Sequence, residues 1–131
     1  MNNHTYPLFD RISIECNSYC NRFCSFCTRT YDKREKVRMP LPLIDQTLNN
    51  LKDADFKGLI SFHFYNEIFT DKRIYNLFDK CKELGLNNYL VTNGDFLTVE
   101  NVKKLNLVQV MFSLLRLDLL TFYKLLISYF T

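Results

Sequence analysis

The chain has 131 residues, of which 47% are hydrophobic and 15% aromatic, and its formal net charge is +3. This length limits it to one domain, and only 3 glycines and 3 prolines argue against a disordered or linker-rich protein. The small charge does not by itself indicate nucleic acid. The polar start resembles no signal peptide, so the five cysteines fit a reducing, cytoplasmic protein without a membrane segment.

The apolar pattern alternates between strand-like and helix-like segments. In the first predicted helix, for example, Ile44, Leu48 and Leu51 recur at helical spacing. Predicted strands cover 11–15, 59–64, 88–92 and 107–114, and predicted helices cover 43–53, 72–84, 98–105 and 118–130. Strands that alternate with helices favour a parallel sheet with right-handed crossovers, in which ligands bind at the carboxyl ends of the strands.

Three cysteines follow the first predicted strand, in the run Cys20-Asn21-Arg22-Phe23-Cys24-Ser25-Phe26-Cys27. Thiolates this close together on one loop can point at one soft metal centre, and sulfur ligands select zinc, copper(I) or iron–sulfur clusters. A cubane cluster held by three thiolates keeps one iron without a protein ligand. That iron can then chelate a substrate or a cofactor.

This run resembles the Cys-x3-Cys-x-aromatic-Cys motif of the radical S-adenosylmethionine (SAM) superfamily, with Phe26 at the aromatic position. The resemblance implies a 4Fe-4S cluster on Cys20, Cys24 and Cys27, whose open iron binds the amino and carboxylate groups of SAM. One electron from the cluster then cleaves SAM to a 5′-deoxyadenosyl radical, which abstracts hydrogen from a substrate. The resemblance also implies a flavodoxin- or ferredoxin-like electron donor and a small-molecule or peptide substrate.

Later segments extend the resemblance to the ends of the other predicted strands. Asn66-Glu67 is similar to the family's Gly-Gly-Glu motif, although both glycines are replaced, and a carboxylate suits the SAM ammonium group. Thr92-Asn93-Gly94 is similar to an element of the peptide- and sugar-modifying branches, and Ser113 to a serine near SAM. The implied SAM contacts are therefore Phe26, Asn66, Glu67, Thr92, Asn93 and Ser113.

The resemblance implies an α/β fold, an incomplete parallel (β/α) partial barrel of about four strand–helix units where the family core has six. Residues 1–131 would then be the amino-terminal portion of a truncated radical SAM core, from a SPASM-type member. A sheet that stops at four strands leaves an uncovered edge, so we expect chains to associate through it.

Two alternatives to a radical SAM enzyme stay open. Cys16 lies four residues before Cys20 and could supply a fourth ligand, giving a non-catalytic iron–sulfur or zinc module. The other alternative is an inactive remnant of a longer enzyme. The apolar surroundings of Cys16 and Cys81 nevertheless favour two buried core thiols. His63, inside the second predicted strand, is predicted to be a buried, hydrogen-bonded structural histidine.

Overall fold

The computed structural model describes residues 9–31, 34–105 and the backbone of 109–112. Its strands and helices, in chain order, are β1 (Arg11–Ser13), α1 (Leu41–Asp53), β2 (Leu59–Ser61), α2 (Ile74–Glu83), β3 (Asn87–Thr92), α3 (Val99–Lys103) and β4 (Gln109–Phe112). Short 3-10 turns, Thr28–Thr30 and Ile68–Thr70, lie in the loops after β1 and β2. The predicted last helix, 118–130, and Ser113 lie outside the described residues.

The four strands form one parallel sheet in the order β1-β2-β3-β4. Ile12 pairs with Ile60, and Ile60 with Asn88 in the next strand. Each strand therefore lies beside its predecessor, and the order never reverses. This progression is typical of a barrel, whereas a doubly wound sheet reverses its strand order at a switch point. The predicted α/β fold with a parallel sheet is confirmed, and the described residues include four strands and three of the four predicted helices.

β2 ends three residues earlier than predicted, at Ser61 instead of 64. The side chain of Asn66 accounts for this difference. Its Oδ1 accepts a hydrogen bond from the Phe64 backbone N–H (2.8 Å), and its Nδ2 donates to the Phe62 carbonyl (3.1 Å). An asparagine that takes up backbone groups in this way competes with the strand ladder. The chain therefore leaves the sheet early and turns across its carboxyl edge.

The first two helices have ends that their sequences explain. α1 begins at Leu41, two residues before the predicted start, and Pro42 lies in its first turn. A proline is tolerated there because the backbone N–H that it lacks would have no acceptor within the helix. α2 ends at Glu83, and Gly85 follows with φ of 69°, a left-handed conformation that favours glycine. The Leu86 N–H then donates to the Cys81 carbonyl at 2.8 Å, which closes a Schellman cap.

A single apolar core joins the helices to the sheet. Ile44 and Leu48 of α1 and Phe78 of α2 are fully buried with Ile60 of β2 and Leu90 of β3. The rings of Phe62 and Phe78 meet edge to face with centroids 5.5 Å apart. This packing fixes the strands relative to one another and so fixes the loops at their carboxyl ends. Within the described part of the chain, no helix is long and apolar enough to cross a membrane.

Candidate functional site

Three loops meet over the carboxyl edge of the sheet and enclose a cavity of about 160 Å³. The loops follow β1, β2 and β3, whose parallel pairing places their carboxyl ends side by side. The predicted site residues that line this cavity are Cys20, Cys24, Phe26, Cys27, Asn66, Glu67, Thr92 and Asn93. Pockets that enclose a small molecule usually measure about 300–1,000 Å³. The cavity between the described residues is smaller than this range.

The three motif cysteines are partly exposed at this cavity and form no disulfide. Within residues 9–31 and 34–105, no group of three or more His, Cys, Asp or Glu side chains is arranged to hold a single metal ion. Ligands of one ion must converge on one point, whereas a 4Fe-4S cluster takes each thiolate on a different iron. A soft, three-thiol donor set spread around one cavity fits such a cluster.

Cys16 lies apart from the motif cysteines. It is fully buried, and its thiol donates a hydrogen bond to the Phe62 carbonyl at 3.4 Å. Burial raises the pKa of Cys16 to about 11 and that of Cys81, on the buried face of α2, to about 12. Because only the thiolate binds a metal, both residues are poor ligands where they lie. The prediction that they are core thiols is confirmed.

Glu67 links the loop after β2 to the end of β3. The residue is 2% exposed, and its carboxylate accepts hydrogen bonds from the Thr92 hydroxyl (2.7 Å), the Asn93 backbone N–H (2.7 Å) and the Phe69 N–H (3.3 Å). Burial raises the pKa of Glu67, and these donors offset part of that rise. A carboxylate has about four lone-pair sites, so three donors leave room for one more.

Thr92-Asn93-Gly94 makes the turn that its sequence predicts. Gly94 has φ of 84°, a left-handed conformation, and its N–H donates to the Thr92 hydroxyl at 3.1 Å. This turn reverses the chain at the end of β3 and leaves the Asn93 side chain beside the cysteine loop. Asn93 Nδ2 lies 3.9 Å from the Cys20 sulfur. Residues 73 positions apart in the chain therefore meet at the cavity.

Two further residues line the cavity: His63, which the sequence predicts to be structural, and Arg22, which it does not single out. His63 is half-buried, and its Nδ1 is buried without a hydrogen-bond partner among the described residues, so the predicted hydrogen bonding does not extend to this nitrogen. Burial lowers the pKa of His63. Arg22 lies between Cys20 and Cys24, and hydrogen bonds to Asp95 raise the pKa of its guanidinium. Only its place inside the cysteine motif could have indicated this residue.

Comparison with known proteins identifies relatives of this chain. It is 37% identical over 101 residues to the S-adenosyl-L-methionine-dependent 2-deoxy-scyllo-inosamine dehydrogenase of Niallia circulans. A crystal structure of BtrN in complex with AdoMet and 2-DOIA matches 74% of the chain with a TM-score of 0.70 and 36% identity. BtrN in an open conformation matches the same share with a TM-score of 0.65 and 33% identity. No family model matches the chain.

These relatives correct one sequence-based interpretation. The assignment to a SPASM-type member is wrong, because the relatives are dehydrogenases of the BtrN kind and none of them marks the chain as that type. The assignment relied on motifs such as the Thr-Asn-Gly turn, and a sharp turn at the end of a strand occurs in many kinds of protein. The chain spans about two fifths of the length of its relatives, 40% to 44%. Over 75% of its own length, the chain is similar to part of a SAM-dependent dehydrogenase.

Proposed function

We propose that this chain holds a 4Fe-4S cluster on Cys20, Cys24 and Cys27 and binds SAM in the adjoining cavity, as part of a SAM-dependent dehydrogenase. The observation that carries the proposal is the convergence of three loops on one cavity. They bring the three thiols together with Phe26, Asn66, Glu67, Thr92 and Asn93. When bound, the cluster would supply the electron for reductive cleavage of SAM.

The cavity residues offer SAM different kinds of contact. Glu67 has one free acceptor site for the SAM ammonium, and a charge-assisted hydrogen bond there is short and strong. Phe26 is 69% exposed at the rim and offers an aromatic face to the adenine ring. Both polar atoms of the Asn66 side chain bond the backbone after β2, so Asn66 stabilises the shape of that loop. We therefore assign the direct polar contact with SAM to Glu67.

The reaction class follows from the relatives. The curated relative is named a dehydrogenase of 2-deoxy-scyllo-inosamine, and BtrN was crystallised with AdoMet and 2-DOIA. We assign to this chain the same class of reaction, the oxidation of a hydroxyl-bearing carbon in a small polar substrate. His63 lines the cavity, and its buried Nδ1 has no hydrogen-bond partner among the described residues, so we assign to it a polar contact with such a substrate.

Anaerobic reconstitution tests the cluster. We expect about four irons and four sulfides per chain, and replacing Cys20, Cys24 or Cys27 with Ala should abolish uptake, because each supplies a thiolate. Cys16→Ala is the matched control and should leave the iron content unchanged. Loss of iron in Cys16→Ala would show that a fourth cysteine holds the metal, and would favour the non-catalytic module.

SAM binding is tested separately on the reconstituted, reduced protein. Adding SAM should change its electron paramagnetic resonance spectrum, and Glu67→Ala should weaken that change while iron content stays constant. Formation of 5′-deoxyadenosine, measured by chromatography, reports cleavage. Equal SAM titrations of the wild type and Glu67→Ala would refute the role of Glu67 in binding.

A further inference from the structure

A hydrogen-bonded network ties the cysteine loop to the loop after β3. We call it the loop latch, and its members are Asn21, Arg22, Asn93 and Asp95. The Arg22 guanidinium donates hydrogen bonds to both carboxylate oxygens of Asp95, with Nε at 2.7 Å from Oδ2. Asn21 Nδ2 donates to the same Oδ2 at 2.7 Å, and Asn93 Nδ2 donates to Asn21 Oδ1 at 2.9 Å. The Asp95 backbone N–H closes the network on Asn93 Oδ1 at 3.0 Å.

The loop latch places two N–H groups at one particular sulfur. The Arg22 backbone N–H lies 3.4 Å from the Cys20 Sγ, and Asn93 Nδ2 lies 3.9 Å from it. Within residues 9–31 and 34–105, the sulfurs of Cys24 and Cys27 receive no such hydrogen bond. Those two cysteines lie in local turns, in which the Cys27 N–H donates to the Cys24 carbonyl at 2.9 Å. The three thiols are therefore held in different ways.

The bidentate pair at the centre of the loop latch restricts the loop. Its side chains are 21% and 37% exposed, so water screens the pair only in part. A forked arginine–carboxylate contact fixes direction as well as distance, which a single lysine contact does not. It joins residues 73 positions apart, so it stabilises a loop position that local turns alone do not determine.

We propose that the loop latch is a positioning device for Cys20: it holds this thiol toward the cavity and aims two N–H groups at its sulfur, which raises the reduction potential of the cluster. This inference rests on the proposed cluster. Reduction adds a negative charge, and N–H groups directed at a sulfur ligand stabilise that charge. Asp95 and Arg22 act through Cys20, so both are positioning residues.

Redox titration of the reconstituted protein tests the inference. Asn93→Ala removes one N–H donor and should shift the midpoint potential to a more negative value. Asp95→Asn weakens the ion pair that positions Cys20, and because it also removes a negative charge near the cluster, its readout is the rate of iron release and not the potential. Iron release to a chelator should be about fivefold faster in Asp95→Asn. A partly exposed ion pair stabilises a structure by about 1 kcal/mol, and this energy corresponds to about a fivefold change. Asp95→Glu keeps the carboxylate and should release iron at a rate closer to that of the wild type. Glu100→Ala, which removes a paired carboxylate on α3, is the matched control and should leave both values unchanged.

The outcomes separate this inference from the proposed function. An unchanged midpoint potential in Asn93→Ala, or an unchanged rate of iron release in Asp95→Asn, with four irons bound, would overturn it. If the wild type takes up no iron, the proposed function fails, and the redox part of the inference fails with it. Hydrogen exchange of the iron-free chain then decides the positioning part. Asp95→Asn should speed exchange at 20–24 more than at 27–31, and equal protection would overturn that part too.

Discussion

Replacing Glu67 with Ala should destabilise the whole carboxyl edge of the sheet. The carboxylate joins the loop after β2 to β3, and the Glu67 N–H also donates to the Tyr19 carbonyl in the cysteine loop at 2.7 Å. Truncation leaves the Thr92 hydroxyl, which is itself buried, and the Asn93 N–H without their acceptor. The side chain therefore connects the loop after β2 to the end of β3, whereas the backbone bond to Tyr19 remains in the variant.

The hydrogen bonds set the size of the effect. Two bonds of 2.7 Å to a carboxylate are worth about 1.5–3 kcal/mol each. Part of this is offset because burial disfavours the ionised Glu67, as its raised pKa indicates. We expect Glu67→Ala to lower the free energy of unfolding by about 2–4 kcal/mol and the thermal midpoint by about 10 °C. Glu67→Gln keeps the shape but sets an amide nitrogen against one N–H donor, so we expect about 1–2 kcal/mol.

Urea unfolding of the iron-free protein, followed by far-UV circular dichroism, measures these changes without the cluster. Glu100→Ala removes an exposed carboxylate of α3 and serves as the control, with no change expected. A midpoint for Glu67→Ala equal to that of the wild type would refute the reasoning, because it would mean that the three hydrogen bonds are not formed in solution.

Three further predictions concern single residues. His63→Leu should preserve or raise stability, because it removes a buried nitrogen for which the described part of the chain offers no hydrogen-bond partner. Because burial lowers the pKa of His63 below 6.5, the wild type should lose stability as the pH falls through 6.5, and His63→Leu should lose less in urea titrations at pH 5 and 8; equal losses would contradict this. Gly94→Ala should cost about 1–2 kcal/mol, since its φ of 84° strains any side chain, and an unchanged melting temperature would count against that strain. Arg73→Ala should lower the free energy of unfolding by about 3 kcal/mol in the same assay, because it leaves the buried Asp71 carboxylate unpaired; a change below about 1 kcal/mol would show that Asp71 finds another partner.

Much of the fold could be predicted from local pattern. Apolar residues at helical spacing identified α1 and α2, and Gly85 marked the end of α2 because only a few residues adopt its left-handed conformation. The alternation of strands and helices indicated a parallel sheet, since a parallel pair needs a crossover. The early end of β2 could not be predicted this way, because the Asn66 side chain competes with the sheet for backbone groups.

The sequence by itself determined the cysteine spacing and the residues at each strand end. Both are local properties, and the parallel order brings all strand ends to one edge. Only the tertiary structure decided which of these residues meet. Glu67 finds Thr92 25 positions away, and Arg22 finds Asp95 73 positions away. Such partners depend on strand register and on the path of each loop, which the packing of the whole core sets and no short segment encodes.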